Sequence, residues 1–249
     1  DFAQSTTSED GGRVYVNASG TAYHSATTVL GVLSRDSIAA WRKRVGEEEA
    51  NKISRQAAGR GTAVHTLAED YLNNKEDWKG KHMPANLNTF NDLRKVIDNR
   101  IDNVWMQEEF LYSDKLKCAG QVDCIAEYDG ELSIIDFKTS SRERNDDWNE
   151  NYYIQTGAYA EMFEERTGLK TSQIVILVVT EDGTVQEFVK NKQDYLSMLE
   201  ESMHEWRKLN ETRGTINQDF FIELEVCIYG NYLAANTTVN YLISTNYTY

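Results

Sequence analysis

Apolar residues recur along this chain with two periods, about four residues in some stretches and two in others. RVYVNASGTAYHSATTVL alternates about Ser19-Gly20 and predicts a short hairpin. Asp36 stands where a helix cap is expected, ahead of Ile38, Trp41 and Val45 at helical spacing. Gly46 interrupts that helix, and the period resumes through Ala50, Ile53 and Ala57. After Gly59-Arg60-Gly61 a further helix is predicted, with Val64, Leu67, Ala68 and Tyr71 on its apolar face and His65 and Glu69 one turn apart beside it. Residues 73–86 are polar and loop-like, and Leu87 to about Asn103 is helical. Three strands follow, VWMQEEFLYS, KLKCAGQVDCIAEY and ELSIIDFKTS, then the polar loop SRERNDDWNE and a helix, YYIQTGAYAEMFEERTG, ending at Gly168. SQIVILVVTED reads as a buried strand, Asp182-Gly183 as a turn into TVQEFVK, and QDYLSMLEESMHEWRKL as a last amphipathic helix. The core order of helix, three strands, helix and strand predicts an α/β domain, a mixed central sheet flanked by helices. Residues 1–12 are expected to be disordered. Residues 214–249 have no Lys, Arg or His and are rich in Asn, Thr and Tyr; they are expected to be an appendage, with no chemistry assigned.

The chemistry concentrates in AGQVDCIAEYDGELSIIDFKTS. Asp129-Gly130 between two apolar runs is a strong hairpin signal. A two-residue turn there pairs Tyr128 with Glu131, and counting outward sets Asp123 opposite Asp136. Lys138, two residues on, shares the face of Asp136. Like charges facing each other on a sheet repel, and a cation between them removes the penalty. The pattern predicts a divalent-metal site with an ammonium beside it, the equipment of phosphodiester cleavage. A solvated salt-bridge face is the competing account. Against it, Ile134, Ile135 and Phe137 surround Asp136 with apolar residues, as in a central strand where a buried acid needs a partner.

Composition narrows the setting. Of the 249 residues 40% are hydrophobic and 27% charged, the balance of a soluble globular protein, and no apolar run reaches the length of a membrane span. The polar N-terminus lacks the features of a signal or transit peptide, although trimming of a longer chain stays open because residue 1 is not Met. Three scattered cysteines, Cys118, Cys124 and Cys227, suggest a reducing compartment and are too few for the four thiolates of an ordinary iron–sulfur cluster. The net charge of −14 argues against nucleic-acid binding by the surface at large. Arg42, Lys43, Arg44, Lys52, Arg55 and Arg60 nevertheless cluster ahead of His65, as a confined DNA channel or as a solvated helix face.

Gly61-xxx-His65, Asp123, Asp136-x-Lys138 and Gln155-xxx-Tyr159, in that order, resemble the RecB-type branch of the PD-(D/E)xK nucleases. With SATTVL, WRKRVGEEEANKI and RGTAVHTLAEDYL the likeness covers about residues 13–210 and is greatest to the phage and mitochondrial genome maintenance exonucleases of that branch. Val122-Asp123 stands in place of the Pro-Asp of the family name. The resemblance implies a restriction-endonuclease-like αβββαβ core within a nuclease domain at 13–213. It implies Mg²⁺, with Mn²⁺ as a substitute, held by His65, Asp123, Asp136 and the Phe137 carbonyl; some relatives carry an iron–sulfur cluster, which the three cysteines here do not support. Lys138 would position and help deprotonate the attacking water, or stabilise developing charge, and Gln155 and Tyr159 would hold Lys138 or the substrate strand. Glu69 and Glu109 are further acidic candidates. Arg42, Lys43, Arg44, Arg55 and Arg60 would contact DNA, Arg60 with the amides near Gly61 at a helix N-terminus. The implied activity is a DNA exonuclease preferring single-stranded ends, acting as a monomer off the membrane, in the cytoplasm or, after presequence removal, the mitochondrial matrix. The alternatives are an endonuclease cutting flaps or branches and, in another class, a non-catalytic DNA-binding module.

Overall fold

The computed structural model of the chain describes residues 2–7 and 12–209. In chain order the elements are β1 (Phe2–Thr7), β2 (Arg13–Asn17), β3 (Ala22–Ser25), α1 (Ala26–Val45), α2 (Glu47–Leu72), α3 (Pro84–Arg100), β4 (Ile101–Ser113), β5 (Cys118–Tyr128), β6 (Glu131–Ser140), α4 (Glu150–Thr167), β7 (Gln173–Thr180) and β8 (Val185–Asn191). Residues 196–203 are helical and close a first unit; in a second, beginning at His204, the described residues 204–209 are helical. The expected boundary at 213 and the appendage at 214–249 lie outside the described residues. No helix among the described residues is long and apolar enough to cross a membrane.

Eight strands form one mixed sheet in the order β1-β2-β3-β5-β6-β7-β8, with β4 on the other edge of β5. Asp129 and Gly130 take φ of 53° and 80°, the paired left-handed geometry of a type I′ turn, and Tyr128 pairs with Glu131 as expected. Parallel strands need a crossover, and α4 supplies it between β6 and β7 before ending at Gly168 with φ of 76°. From Ile174 to Thr180 every residue of β7 is buried, which matches its unbroken apolar run. Val64 and Leu67 of α2 and Phe90 and Leu93 of α3 pack with Cys124, Ala126, Ile135, Phe137, Val175 and Leu177 of the sheet. This is the mixed α/β core, β4-β5-β6-α4-β7 behind helices, that the sequence predicts.

Three local expectations change. Residues 2–7, expected to be disordered, form a strand antiparallel to β2. Helix α1 starts at Ala26, so Asp36 lies inside it and caps nothing. Burial of Ala26, Val29 and Leu30 outweighs the strand preference of Thr27-Thr28-Val29. Helix α2 runs unbroken through Gly59 and Gly61, so no helix N-terminus exists near Arg60. A glycine in a helix interior costs only about 1 kcal/mol, and the buried Val64, Leu67 and Ala68 hold the helix in place.

Candidate active site

Strand β5 changes partners along one edge. Its pairing with β6 runs from Tyr128↔Glu131 to Cys124↔Ile135 and stops, one step before Asp123 would meet Asp136. Farther along, Cys118 and Ala119 pair with β3. Because β4 occupies the opposite edge throughout, β3 and β6 share this one, and residues 120–123 lie in the fork between them. The expected opposition of Asp123 and Asp136 thus gives way to a splay: Asp123 Oδ2 accepts the Phe137 N–H at 2.8 Å. Asp123 Oδ1 lies 3.5 Å from His65 Nδ1, which lies 3.9 Å from Glu108 Oε1. One ligand atom from each of these three side chains falls within 4.8 Å of the others. Hard carboxylate oxygens with an imidazole nitrogen at this spacing form a donor set suited to Mg²⁺ or Mn²⁺. Burial lowers the His65 pKa, but Glu108 and Asp123 outweigh it and raise it to about 9. The two carboxylates draw positive charge into this place, as a proton or as a metal.

Glu108 was not among the sequence candidates; its neighbour Glu109 was, and Glu109 is exposed. Glu108 lies on the β4 register that would set it opposite Asp123, between Gln107↔Cys124 and Glu109↔Val122, and its φ of 49° interrupts the ladder there. Gln121 Nε2 donates to the Glu108 carbonyl at 3.0 Å. Glu108, Gln121, His65 and Glu69 line a cleft of about 390 Å³.

Asp136 is 1% exposed on the central strand β6, and Lys138 Nζ forms an ion pair with its Oδ2. Oδ1, the other carboxylate oxygen, is buried with no hydrogen-bond partner and is the atom a cation would complete. Burial and the charge of Asp123 push the Asp136 pKa up, against Lys138. The Lys138 ammonium also lies 5.1 Å from the Tyr152 ring centroid. Gln155 and Tyr159, expected to hold Lys138 or substrate, bond one another, Gln155 Nε2 donating to the phenol at 3.1 Å. Burial, with Asp136 and Asp123, raises the Tyr159 pKa, so the phenol stays neutral. Its ring lies against the backbone of the fork: a Cβ on Gly120 would sit 2.5 Å from Cε1. Gly120→Ala should therefore lower stability by about 1–3 kcal/mol, read as a lower urea midpoint. An unchanged midpoint would contradict this packing.

The basic cluster divides. Arg42 pairs with Glu47 and bonds Asn51 at 2.6 Å, and Arg60 pairs with Glu181. Lys43, Arg44 and Arg55 are exposed, Arg55 donating to the Asn51 carbonyl at 3.3 Å. Cys118 and Cys124 are buried, and Cys227 lies outside the described residues.

Residues 108–223, which begin at Glu108 and take in Asp123, Asp136, Lys138, Gln155 and Tyr159, match the family model described as the PD-(D/E)XK nuclease superfamily. This segment belongs to the PD-(D/E)XK nuclease superfamily. Helices α1 and α2, with His65, precede the matched segment. A stretch of 108 residues is 26% identical to mitochondrial genome maintenance exonuclease 1 of Mus musculus, covering 42% of this chain and 32% of the mouse protein. The chain thus spans about a third of the length of that relative. A solved structure of a provisionally named exonuclease from Eubacterium rectale aligns at 15% identity with a TM-score of 0.42, over 61% of this chain and 68% of the other.

Proposed function

We propose that this protein is a divalent-metal-dependent deoxyribonuclease that removes nucleotides from single-stranded ends. The observation that carries the reading is the fork in β5, where the donor atoms of His65, Glu108 and Asp123 converge beside the buried Asp136–Lys138 pair. His65, Glu108 and Asp123 would hold the cation, with Asp136 as a further carboxylate. When bound, such a cation neutralises phosphate charge and makes water a stronger nucleophile. Lys138, as an ammonium paired with a carboxylate, has no lone pair with which to accept a proton; its role is to place positive charge against the phosphate. Phe137 orients Asp123 through its N–H. Tyr159, buried against Gly120 and bonded by Gln155, supports the fork from within. Lys43, Arg44 and Arg55, exposed on α1 and α2, are cations within reach of a strand, and the exonuclease name of the mouse relative supports action at ends.

The test uses end-labelled single- and double-stranded DNA, linear and circular, with Mg²⁺ and with EDTA. Linear single strands should be shortened progressively in Mg²⁺ alone, while circles survive. Rapid cutting of single-stranded circles would replace the exonuclease by an endonuclease. Binding of DNA with no cleavage of any substrate would leave a non-catalytic module.

A further inference from the structure

The loop after β6 carries an indole that the site described above does not use. Trp148 is 54% exposed. The Arg142 guanidinium lies over its ring, 5.5 Å from the centroid. From Trp148 a run of cations and aromatic rings leads to Lys138. The Trp148 carbonyl accepts from Arg144 Nη2. The Arg144 guanidinium lies 5.1 Å from the Tyr152 centroid, and Lys138 Nζ lies 5.1 Å from the same ring.

This loop is tied down at several points. Arg144 N donates to Gln186 Oε1 at 2.7 Å, and Gln186 Nε2 donates back to the Arg144 carbonyl at 3.0 Å. Arg144 Nε donates to Oδ1 of the buried Asn149 at 2.5 Å, and Ser140 Oγ donates to the Arg142 carbonyl at 2.6 Å. An indole on a slack loop can fold back and bury itself, gaining about 25 cal/mol for each Å² removed from water. Here the bonding holds the backbone beside Trp148 in place and leaves much of the ring in water.

Resting on the nuclease reading, we infer that Trp148 is a stacking platform for a nucleobase of the substrate strand, with Arg142 as its cationic partner, on the path to Lys138. Aromatic rings interleaved with arginines bind single strands irrespective of sequence, because every base presents a π-face. In a duplex those faces are already stacked on neighbouring bases, so the platform selects unpaired strands. Charge contributes less. Glu143, Asp147 and Glu150 are exposed on the same stretch, while Asp146 is engaged by Lys190 at 2.7 Å and Tyr153 at 2.6 Å. The exposed acids oppose phosphate, and stacking carries the contact.

The experiment measures binding of a labelled oligo(dT), and of a base-free deoxyribose-phosphate chain of the same length, in EDTA so that nothing is cut. Wild type should bind oligo(dT) more tightly than the base-free chain. Trp148→Ala should bind oligo(dT) about tenfold more weakly with its affinity for the base-free chain unchanged, and Trp148→Phe should restore most of the loss. Restoration by Phe separates stacking from a merely structural effect. If wild type degrades DNA while Trp148→Ala binds oligo(dT) as wild type does, the platform is wrong and the nuclease stands. If wild type neither binds nor degrades any DNA, the nuclease reading falls and the platform with it.

Discussion

Asp123→Asn should abolish cleavage and leave the protein folded. The side chain sits in the fork of β5, with one oxygen accepting the Phe137 N–H at 2.8 Å and the other 3.5 Å from His65 Nδ1. An amide oxygen still accepts the Phe137 N–H, so the junction of β5 with β6 survives. What disappears is the negative charge beside His65 and Glu108. Losing about 4 kcal/mol of charge stabilisation slows turnover roughly a thousandfold. Turnover of end-labelled single-stranded DNA in Mg²⁺ measures the loss, and circular dichroism checks the fold. A folded variant with the wild-type rate would remove Asp123 from the machinery.

Lys192→Met should cause a large loss of stability. Lys192 is 2% exposed, with Nζ 2.8 Å from Glu161 Oε1 and 2.7 Å from Glu164 Oε1. Methionine keeps most of the volume and leaves two carboxylates in one largely buried corner. Unpairing a buried charge costs about 3–5 kcal/mol. The lower end is expected, because Lys170 and the Thr171 N–H still bond Glu164, each at 2.9 Å. Urea unfolding measures it, and a wild-type midpoint would contradict the ion-pair account. The same corner has a pH signature. Burial raises the Glu164 pKa, but Lys170, Lys192 and the Thr171 N–H outweigh it and hold it at about 2. Since the folded value lies below the ordinary 4.5, the stabilisation is complete above about pH 4.5 and fades as pH falls toward 2.

Local chemistry was legible in the sequence, and distant pairing was not. Asp129-Gly130 announced its turn because both residues tolerate positive φ, and the β5–β6 register followed by counting. The fork at 120–123 depends on β3 joining β5 across more than ninety residues, for which alternation gives no sign. Glu108 was missed for a related reason. Its place opposite Asp123 follows only once Ser113 is paired with Cys118, and the intervening turn, with Lys117 at φ of 57°, lacks an Asn-Gly or Asp-Gly signal. Alternation along β4 also fails at Glu108, where positive φ redirects the chain. Gly59 and Gly61 misled in the other direction, because the apolar stripe of α2 outlasts two weak helix formers. Arg60 read as a free cation because its partner, Glu181, lies 121 residues away.

Titration calorimetry with Mn²⁺, on wild type and on Asp123→Asn, tests the metal centre most directly. Saturable uptake by wild type, lost or strongly weakened in the variant, is the predicted result. No saturable uptake by wild type, or equal uptake by both proteins, would contradict a metal centre built on His65, Glu108 and Asp123.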